Sequence, residues 1–246
     1  MIEASVCIIG AGPAGATTSM ALSKMKIPHI IIDAAVFPRD KVCGDALDTT
    51  VMRVLNSIEP GIVNNEVLND PNFVKSNSFL FHINETIKKK FSIISKNKLL
   101  NFPIFLFCKR SYFDNYLIKK FNPKYAQFLQ GVKVEKIIHE NSEKLIHAIQ
   151  DGKEIHIKAK LIIGADGRNS AVLRSLGATK IDRKNYAGAL RQYWKGVTDL
   201  KEETFELYFP NSLSFGYLWI FPLPNGEANI GLGMHSSLIA KKNIDS

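Results

Sequence analysis

Between Ser5 and Asp33 the chain reads as one unit: an apolar strand, a glycine turn, a helix, a second apolar strand and an acid. The first strand is Val6-Cys7-Ile8-Ile9, and the turn is Gly10-Ala11-Gly12-Pro13-Ala14-Gly15. The helix runs from Ala16 to about Met25, and Ile30-Ile31-Ile32 leads into Asp33. This is the dinucleotide-binding fingerprint in the structural setting it requires. Gly10 permits the tight turn, Gly12 lets the backbone approach a pyrophosphate, and Gly15 lets the helix pack close to the strand. The free N–H groups and the positive dipole end of the helix face the phosphates. Asp33, about 20 residues further on, stands where an acid accepts from a ribose hydroxyl. A chance glycine-rich turn in an α/β protein is the competing reading, and the acid at that distance argues against it.

The remaining composition is that of an ordinary globular chain. Of 246 residues, 46% are hydrophobic and 22% charged, enough to bury a sizeable core. No apolar run approaches the roughly 18 residues of a membrane span. The start, Met1-Ile2-Glu3, lacks the basic segment of a secretory signal. Cys7, Cys43 and Cys108 form neither a metal-ligand spacing nor an even disulfide set. No metal is expected, and a reducing cytoplasm is the expected compartment. The net charge is +9, from 32 basic and 23 acidic residues. Part of the excess is local, in Lys88-Lys89-Lys90 followed by Lys96 and Lys98. Such a run attracts an anionic membrane surface, a diphosphate substrate or an acidic redox partner. The plainer reading, a solvated loop or a strand edge protected by lysines, is preferred, because the run lacks interleaved aromatics and a nucleic-acid motif.

Further along, Phe37 to Asp45 reads as a loop and Ala46 to Leu55 as a helix; residues 58–76 read as loop with a short helix. Ser78–Ile83, Phe91–Ile94 and Pro103–Cys108 read as strands. Tyr112, Phe113, Tyr116 and Leu117 recur at helical spacing and predict a helix over Arg110–Phe121. Strands follow at Tyr125–Leu129 and Val132–His139. Leu145–Gln150 and Ile155–Ile163 flank the hairpin turn Asp151-Gly152. A short helix carries Ala171 to Leu176, and from about Tyr186 the chain is rich in strands and aromatics. The fold class is α/β: a Rossmann-like three-layer cofactor domain with an inserted mixed, largely antiparallel substrate domain. The expected division is 1–75 and 109–185 for the cofactor domain, 76–108 and 186–246 for the substrate domain.

Two more segments carry chemistry. Leu161-Ile162-Ile163-Gly164-Ala165-Asp166-Gly167-Arg168-Asn169-Ser170 is a buried strand ending in a Gly-Asp-Gly turn, with Ser170 placed to cap the next helix. Asp166 either accepts from a ribose or orients phosphate-binding groups, or it is a plain capping acid. In Cys108-Lys109-Arg110-Ser111-Tyr112-Phe113-Asp114, Arg110 stands at a strand-to-helix junction. There it either reaches a cofactor or pairs with Asp114 at i+4.

Together these segments resemble the flavoprotein monooxygenase-like superfamily, which pairs a GxGxxG unit with an internal Gly-Asp-Gly motif and an R-x-x-F-D-x-x-L helix. Within it, Lys41-Val42-Cys43-Gly44-Asp45-Ala46-Leu47 resembles the geranylgeranyl reductase family. So do Tyr217-Leu218-Trp219-Ile220-Phe221-Pro222 and Ala228-Asn229-Ile230-Gly231-Leu232-Gly233. The resemblance runs from Ser5 to Gly233. It implies FAD, with Gly10, Gly12, Pro13, Ala14 and Gly15 toward the pyrophosphate and Asp33 toward the adenosine ribose. It places Cys43, Gly44, Asp45 and Ala46 beside the isoalloxazine, Cys43 having a role in turnover or being only a small buried thiol. It brings Arg110, Asp166 and Gly167 near the cofactor and Val134 near the adenine. Trp219 and Phe221 would line the substrate cavity, or serve as core aromatics. Family members continue with a Gly-Asp-Ala-rich strand–turn–helix that nothing after Gly233 resembles. The resemblance therefore implies a C-terminally truncated chain with weakened hold on FAD.

The implied activity is FAD-dependent oxidoreduction, reducing double bonds of an isoprenoid-like lipid. NAD(P)H or another donor would supply electrons, and the protein would contact the membrane peripherally if at all. An FAD-dependent aromatic monooxygenase is the alternative, and a non-catalytic flavin or nucleotide binder the alternative from another class. A halogenase fits less well. Its Trp-x-Trp-x-Ile-Pro signature is replaced here by Tyr217-Leu218-Trp219-Ile220-Phe221-Pro222.

Overall fold

The computed structural model describes residues 1–83, 87–92, 102–140, 142–178, 186–198, 200, 203–213 and 216–236. In chain order its strands begin with β1 (Ile2–Ile9), β2 (His29–Asp33), β3 (Ala46–Asp48), β4 (Val74–Ser76) and β5 (Ser78–Ile83). They continue with β6 (Ile87–Ser92), β7 (Phe105–Phe107), β8 (Ala126–Gln130), β9 (Val132–Glu140) and β10 (Glu143–Gln150). The last five are β11 (Lys153–Gly164), β12 (Ala187–Lys195), β13 (Thr204–Phe209), β14 (Gly216–Leu223) and β15 (Glu227–His235). The helices are α1 (Pro13–Lys24), α2 (Thr49–Ile58), α3 (Ile62–Asn65), α4 (Arg110–Ile118) and α5 (Ala171–Ser175). Backbone packing divides the chain into two units, Met1–Asp40 with Ser111–Lys180 and Lys41–Arg110 with Ile181–Ser246. Residues 41–75 pack in the second unit.

The first unit is built on a six-stranded mixed sheet in the order β8-β2-β1-β11-β10-β9. β8, β2, β1 and β11 run parallel, so Ile9 is paired with Ile32 on one side and Gly164 on the other. Their carboxyl ends therefore align, which is where an open α/β sheet offers a ligand crevice. β1 and β2 are near-continuous apolar runs because both faces are covered. Cys7, Ile9, Ile30 and Ile32 pack with Ile146 and Ile157 on one face, joined by Val172 of α5. Ile8 and Ile31 pack on the other with Leu22 of α1 and Ile118 of α4. The result is three layers. The turn between β10 and β11 takes positive φ at both Asp151 (51°) and Gly152 (75°), the geometry that suits a tight hairpin.

The second unit holds a six-stranded sheet in the order β12-β15-β14-β13-β5-β6, antiparallel except for the β13–β5 pair. A small antiparallel sheet, β3-β7-β4, adds Phe107 to its core, where Phe205, Trp219, Phe221 and Leu223 are buried. Three local readings change. The helix expected from Ala46 is strand until Asp48, whose carboxylate caps α2 by accepting from the N–H groups of Thr50 and Val51. The helix expected to run to Phe121 ends at Ile118. The strand expected from Phe91 begins at Ile87, which places Lys88-Lys89-Lys90 in the edge strand β6, the strand-edge setting among those expected; the end of the expected Phe91–Ile94 strand, with Lys96 and Lys98, falls outside the described residues. Among the described residues no helix is long and apolar enough to cross a membrane.

Candidate functional site

In the first unit the glycine turn joins β1 to the start of α1. Gly10 takes φ 100°, and its N–H donates to the Ile32 carbonyl at 2.8 Å. A Cβ on Gly10 would lie 2.4 Å from the Ala165 carbonyl oxygen, and one on Gly15 would lie 1.8 Å from the Gly10 oxygen. Both positions are closed by backbone. Gly12 differs: a Cβ there would meet only the Arg39 guanidinium, at 3.5 Å. Gly12 caps α1 without any side-chain cap, and Pro13 opens the helix. The first-turn N–H groups of Ala14 and Gly15 have no intrahelical acceptor and point the helix dipole outward beside Gly12.

Beside the turn lies a groove of about 320 Å³. It brings together Gly10, Asp33, Val134 and Asp166 of the expected site residues, with Asn169 and Arg174 added at its rim. Asp33 accepts from the Ala11 N–H at 2.7 Å on one carboxylate oxygen and from the Ala35 N–H at 2.8 Å on the other. The acid thus braces the glycine turn while remaining on the groove wall. Asp166 accepts from the N–H groups of Ala171 (2.6 Å) and Val172 (3.2 Å), and Ser170 accepts from Leu173 at 2.9 Å. Both therefore cap α5, as the plainer reading had it. Gly167 takes φ 72° with no neighbour within 4 Å of its Cβ direction. An adenosine diphosphate fits this arrangement. The groove is open, and in the adjoining turn Gly12 faces only one cation, the Arg39 guanidinium.

That cation was not legible in the sequence. Arg39 pairs with Asp114 at 3.1 Å, and Asp114 is fully buried in α4. A buried carboxylate needs such a partner. The pairing also holds the guanidinium above Phe37, 5.0 Å from its ring centre, and over Gly12.

In the second unit Cys43, Gly44, Ala46 and Phe221 line a cavity of about 540 Å³. Its other walls are Phe79, Phe81, Phe105, Phe107, Phe205, Leu207, Phe209 and Tyr217. The alternation Ser78-Phe79-Leu80-Phe81 on β5 and Phe205–Phe209 on β13 is what turns these rings to one face; the sequence carried that signal only as period-two aromatics. A second cavity of about 360 Å³ lies over β14, β15 and β12, lined by Trp219 with small residues such as Gly188, Ala189 and Gly233.

Asp45 does not line either cavity. It is fully buried at φ 63°, and its carboxylate accepts from the Arg110 N–H (3.1 Å), the Tyr193 hydroxyl (2.8 Å) and the Asn229 amide (2.8 Å). Arg110 thus meets the site through its backbone. Burial pushes the Asp45 carboxyl above its ordinary range, while these hydrogen bonds and the Arg191 charge hold it back. Asn229 also donates to the Cys43 carbonyl at 2.9 Å and accepts from the Trp219 indole N–H at 2.9 Å. Tyr193 and Asn229, absent from the expected set, are thus what hold the Cys43–Ala46 segment. Cys43 is half-buried, whereas Cys7 is fully buried and its thiol is pushed up to about 12 by burial.

The chain matches the FAD binding domain family over residues 3–228. It is 28% identical over 247 residues to the menaquinone reductase of Mycobacterium tuberculosis strain H37Rv, covering 96% of this chain and 56% of the relative. It is 33% identical over 106 residues to the digeranylgeranylglycerophospholipid reductase of Methanosarcina mazei, covering 43% of this chain and 26% of the relative. Among solved structures, a geranylgeranyl bacteriochlorophyll reductase-like protein of Thermoplasma acidophilum superposes with TM-score 0.81 at 21% identity. That superposition covers 99% of this chain and 59% of the other, and it shows the shared fold. The chain spans a little over half the length of the relatives that it matches from end to end.

Proposed function

The chain belongs to the FAD binding domain family, its cofactor is FAD, and on that premise we propose that it works in an oxidoreductase that reduces double bonds of an isoprenoid-like lipid. The observation that carries this reading is the cavity beside Cys43 and Gly44. Its walls are almost wholly aromatic and aliphatic, which suits a branched hydrocarbon chain. FAD, when bound, supplies the electron pair. The protein's own part is positioning. The Gly12 turn, the α1 terminus and the Arg39 guanidinium hold the phosphates, Asp33 and Val134 line the adenosine side, and the phenylalanine walls exclude water from the substrate chain. The names of the two relatives, both reductases, support the same reaction class.

An aromatic hydroxylation reading uses the same cavity and differs in the acceptor of the electrons. The deciding measurement uses the full-length protein loaded with FAD and reduced without oxygen. Reoxidation on adding a polyprenyl lipid, with saturated product recovered, supports the reductase. Reoxidation only on adding oxygen with an aromatic, with hydroxylated product, replaces it by the monooxygenase. No turnover with either leaves the binding role alone.

A further inference from the structure

The two cavities of the second unit lie over one face of the same sheet. Along β14, Tyr217, Trp219 and Phe221 point to that face at every second residue. Their rings form a ladder, with centroids 5.8 Å apart for Tyr217–Trp219 and 5.9 Å for Trp219–Phe221. On one side of the ladder, over β13 and β5, the face is aromatic. On the other side, over β15 and β12, the face carries small residues at the Tyr217 end, where Gly233 and Ala189 are the paired positions, while the Trp219 indole itself lies over Gly231. Gly44, Tyr217 and Phe221 line both cavities, so they form the wall between them.

The middle rung is held by more than packing. A Cβ on Gly231 would lie 2.0 Å from the Trp219 ring, so the indole occupies the space a side chain would fill. Its N–H donates to Asn229, and the Asn229 amide spends both protons, on Cys43 and Asp45. Every polar atom of that amide is satisfied, which fixes its orientation and that of the ring. A Cβ on Gly44 would stand 3.1 Å from Phe221 and 3.6 Å from the indole nitrogen, so the Cys43–Gly44 turn closes onto the ladder.

The geometry points to a two-lobed apolar site in which the ladder, latched by Asn229 and Asp45, is the partition that sets how long a hydrocarbon chain the protein accepts. This rests on the isoprenoid reading and adds its specificity determinant. The aromatic lobe takes the chain; the lobe beyond the ladder is space that becomes available only when the partition yields.

The chain contains two tryptophans, Trp194 and Trp219, the first exposed and the second buried. A Trp194→Phe parent therefore makes Trp219 the sole reporter. Its emission is titrated, in this 246-residue chain loaded with FAD, with geraniol, farnesol, geranylgeraniol and solanesol. The parent is expected to gain affinity with length until the aromatic lobe is full and then to level off. Tyr217→Ala removes the wall without touching the buried latch, and Asn229→Leu releases the latch. Both are expected to keep gaining beyond the parent's plateau. The gain is about tenfold or more for the next isoprene unit, since each newly buried carbon adds severalfold. Should Asn229→Leu fail to fold, Tyr217→Ala carries the comparison alone. One length profile shared by parent and variants overturns the partition and leaves the isoprenoid reading standing. No response to any of the alcohols overturns both.

Discussion

Asp45 is the residue on which the most rests. A carboxylate at positive φ, without solvent, is costly unless several donors converge on it, and three do. Asp45→Asn would set an amide N–H₂ against the N–H₂ of Asn229. A loss of about 1–3 kcal/mol is expected, the scale of an unsatisfied buried donor. The pH dependence has a definite sign. Because burial raises the folded-state pKa above the ordinary 3.8, the native state keeps this proton to higher pH than the unfolded chain. Below that range both states are protonated and the residue contributes nothing; as pH climbs through it, ionisation disfavours the native state. The melting-temperature advantage of the parent over Asp45→Asn should therefore shrink as pH rises through the carboxylate range, and a flat or growing advantage would contradict this. The thiols give a second contrast. Maleimide at mildly alkaline pH should label half-buried Cys43 in the native protein and spare Cys7, whose ionisation is suppressed and whose sulfur is fully covered. Mass spectrometry of the digest decides, and comparable labelling of Cys7 would rule out the core placement.

Among the elements, the strand–turn–helix at the start of the chain separates fold from binding most cleanly. Gly10 and Gly15 face backbone at 2.4 and 1.8 Å, so a side chain at either breaks the packing of α1 on the sheet. Gly12 faces only a movable guanidinium at 3.5 Å. Gly12→Val should therefore fold, with a far-ultraviolet spectrum and melting temperature near those of the parent, yet lose FAD from the flavin-fluorescence titration. Gly15→Val should fail to fold. If Gly12→Val unfolds as readily as Gly15→Val, the open side of the turn is not where a ligand approaches. This element was legible because its signal is local: glycine spacing, apolar runs and an acid all fall within one short stretch. The Asp48 cap, the β3 strand and the turn at Asp151–Gly152 show the limits of local reading. The hairpin stood out, because Asp-Gly demands positive φ. The strand before α2 did not, because Ala46–Asp48 is extended only through pairing with Phe105–Phe107. Arg39–Asp114 and Asp45–Tyr193–Asn229 were invisible for the same reason. Their partners lie 75 or more residues apart along the chain, and no spacing rule links them.

At the scale of the whole molecule, each unit brings a different kind of surface, and ligands can be chosen to tell them apart. The first unit offers donors, a cation and a groove; the second offers apolar walls. FAD contains an adenosine diphosphate half and a flavin half, and only the former matches the Gly12 turn, Arg39, Asp33 and Val134. ADP alone should therefore stabilise this chain, whereas FMN, which lacks that half, should do so weakly or not at all. A ligand at about a hundredfold over its dissociation constant adds about 2.7 kcal/mol to native stability. For a chain of this size each kcal/mol moves the midpoint by about 2–4 °C, so saturating ADP should raise the melting temperature by about 5–10 °C. The net charge of +9 adds a second signature, because a multiply anionic ligand is drawn to a basic protein less strongly as salt rises. Increasing ionic strength should thus weaken the ADP shift, and Arg39→Ala should reduce both the shift and its salt sensitivity. Differential scanning fluorimetry against ADP, FMN and FAD at two salt concentrations makes the comparison. An FMN shift equal to that of FAD with none from ADP would mean that the glycine turn does not read the diphosphate. The assignment of the first unit to the adenosine half would then have to be given up.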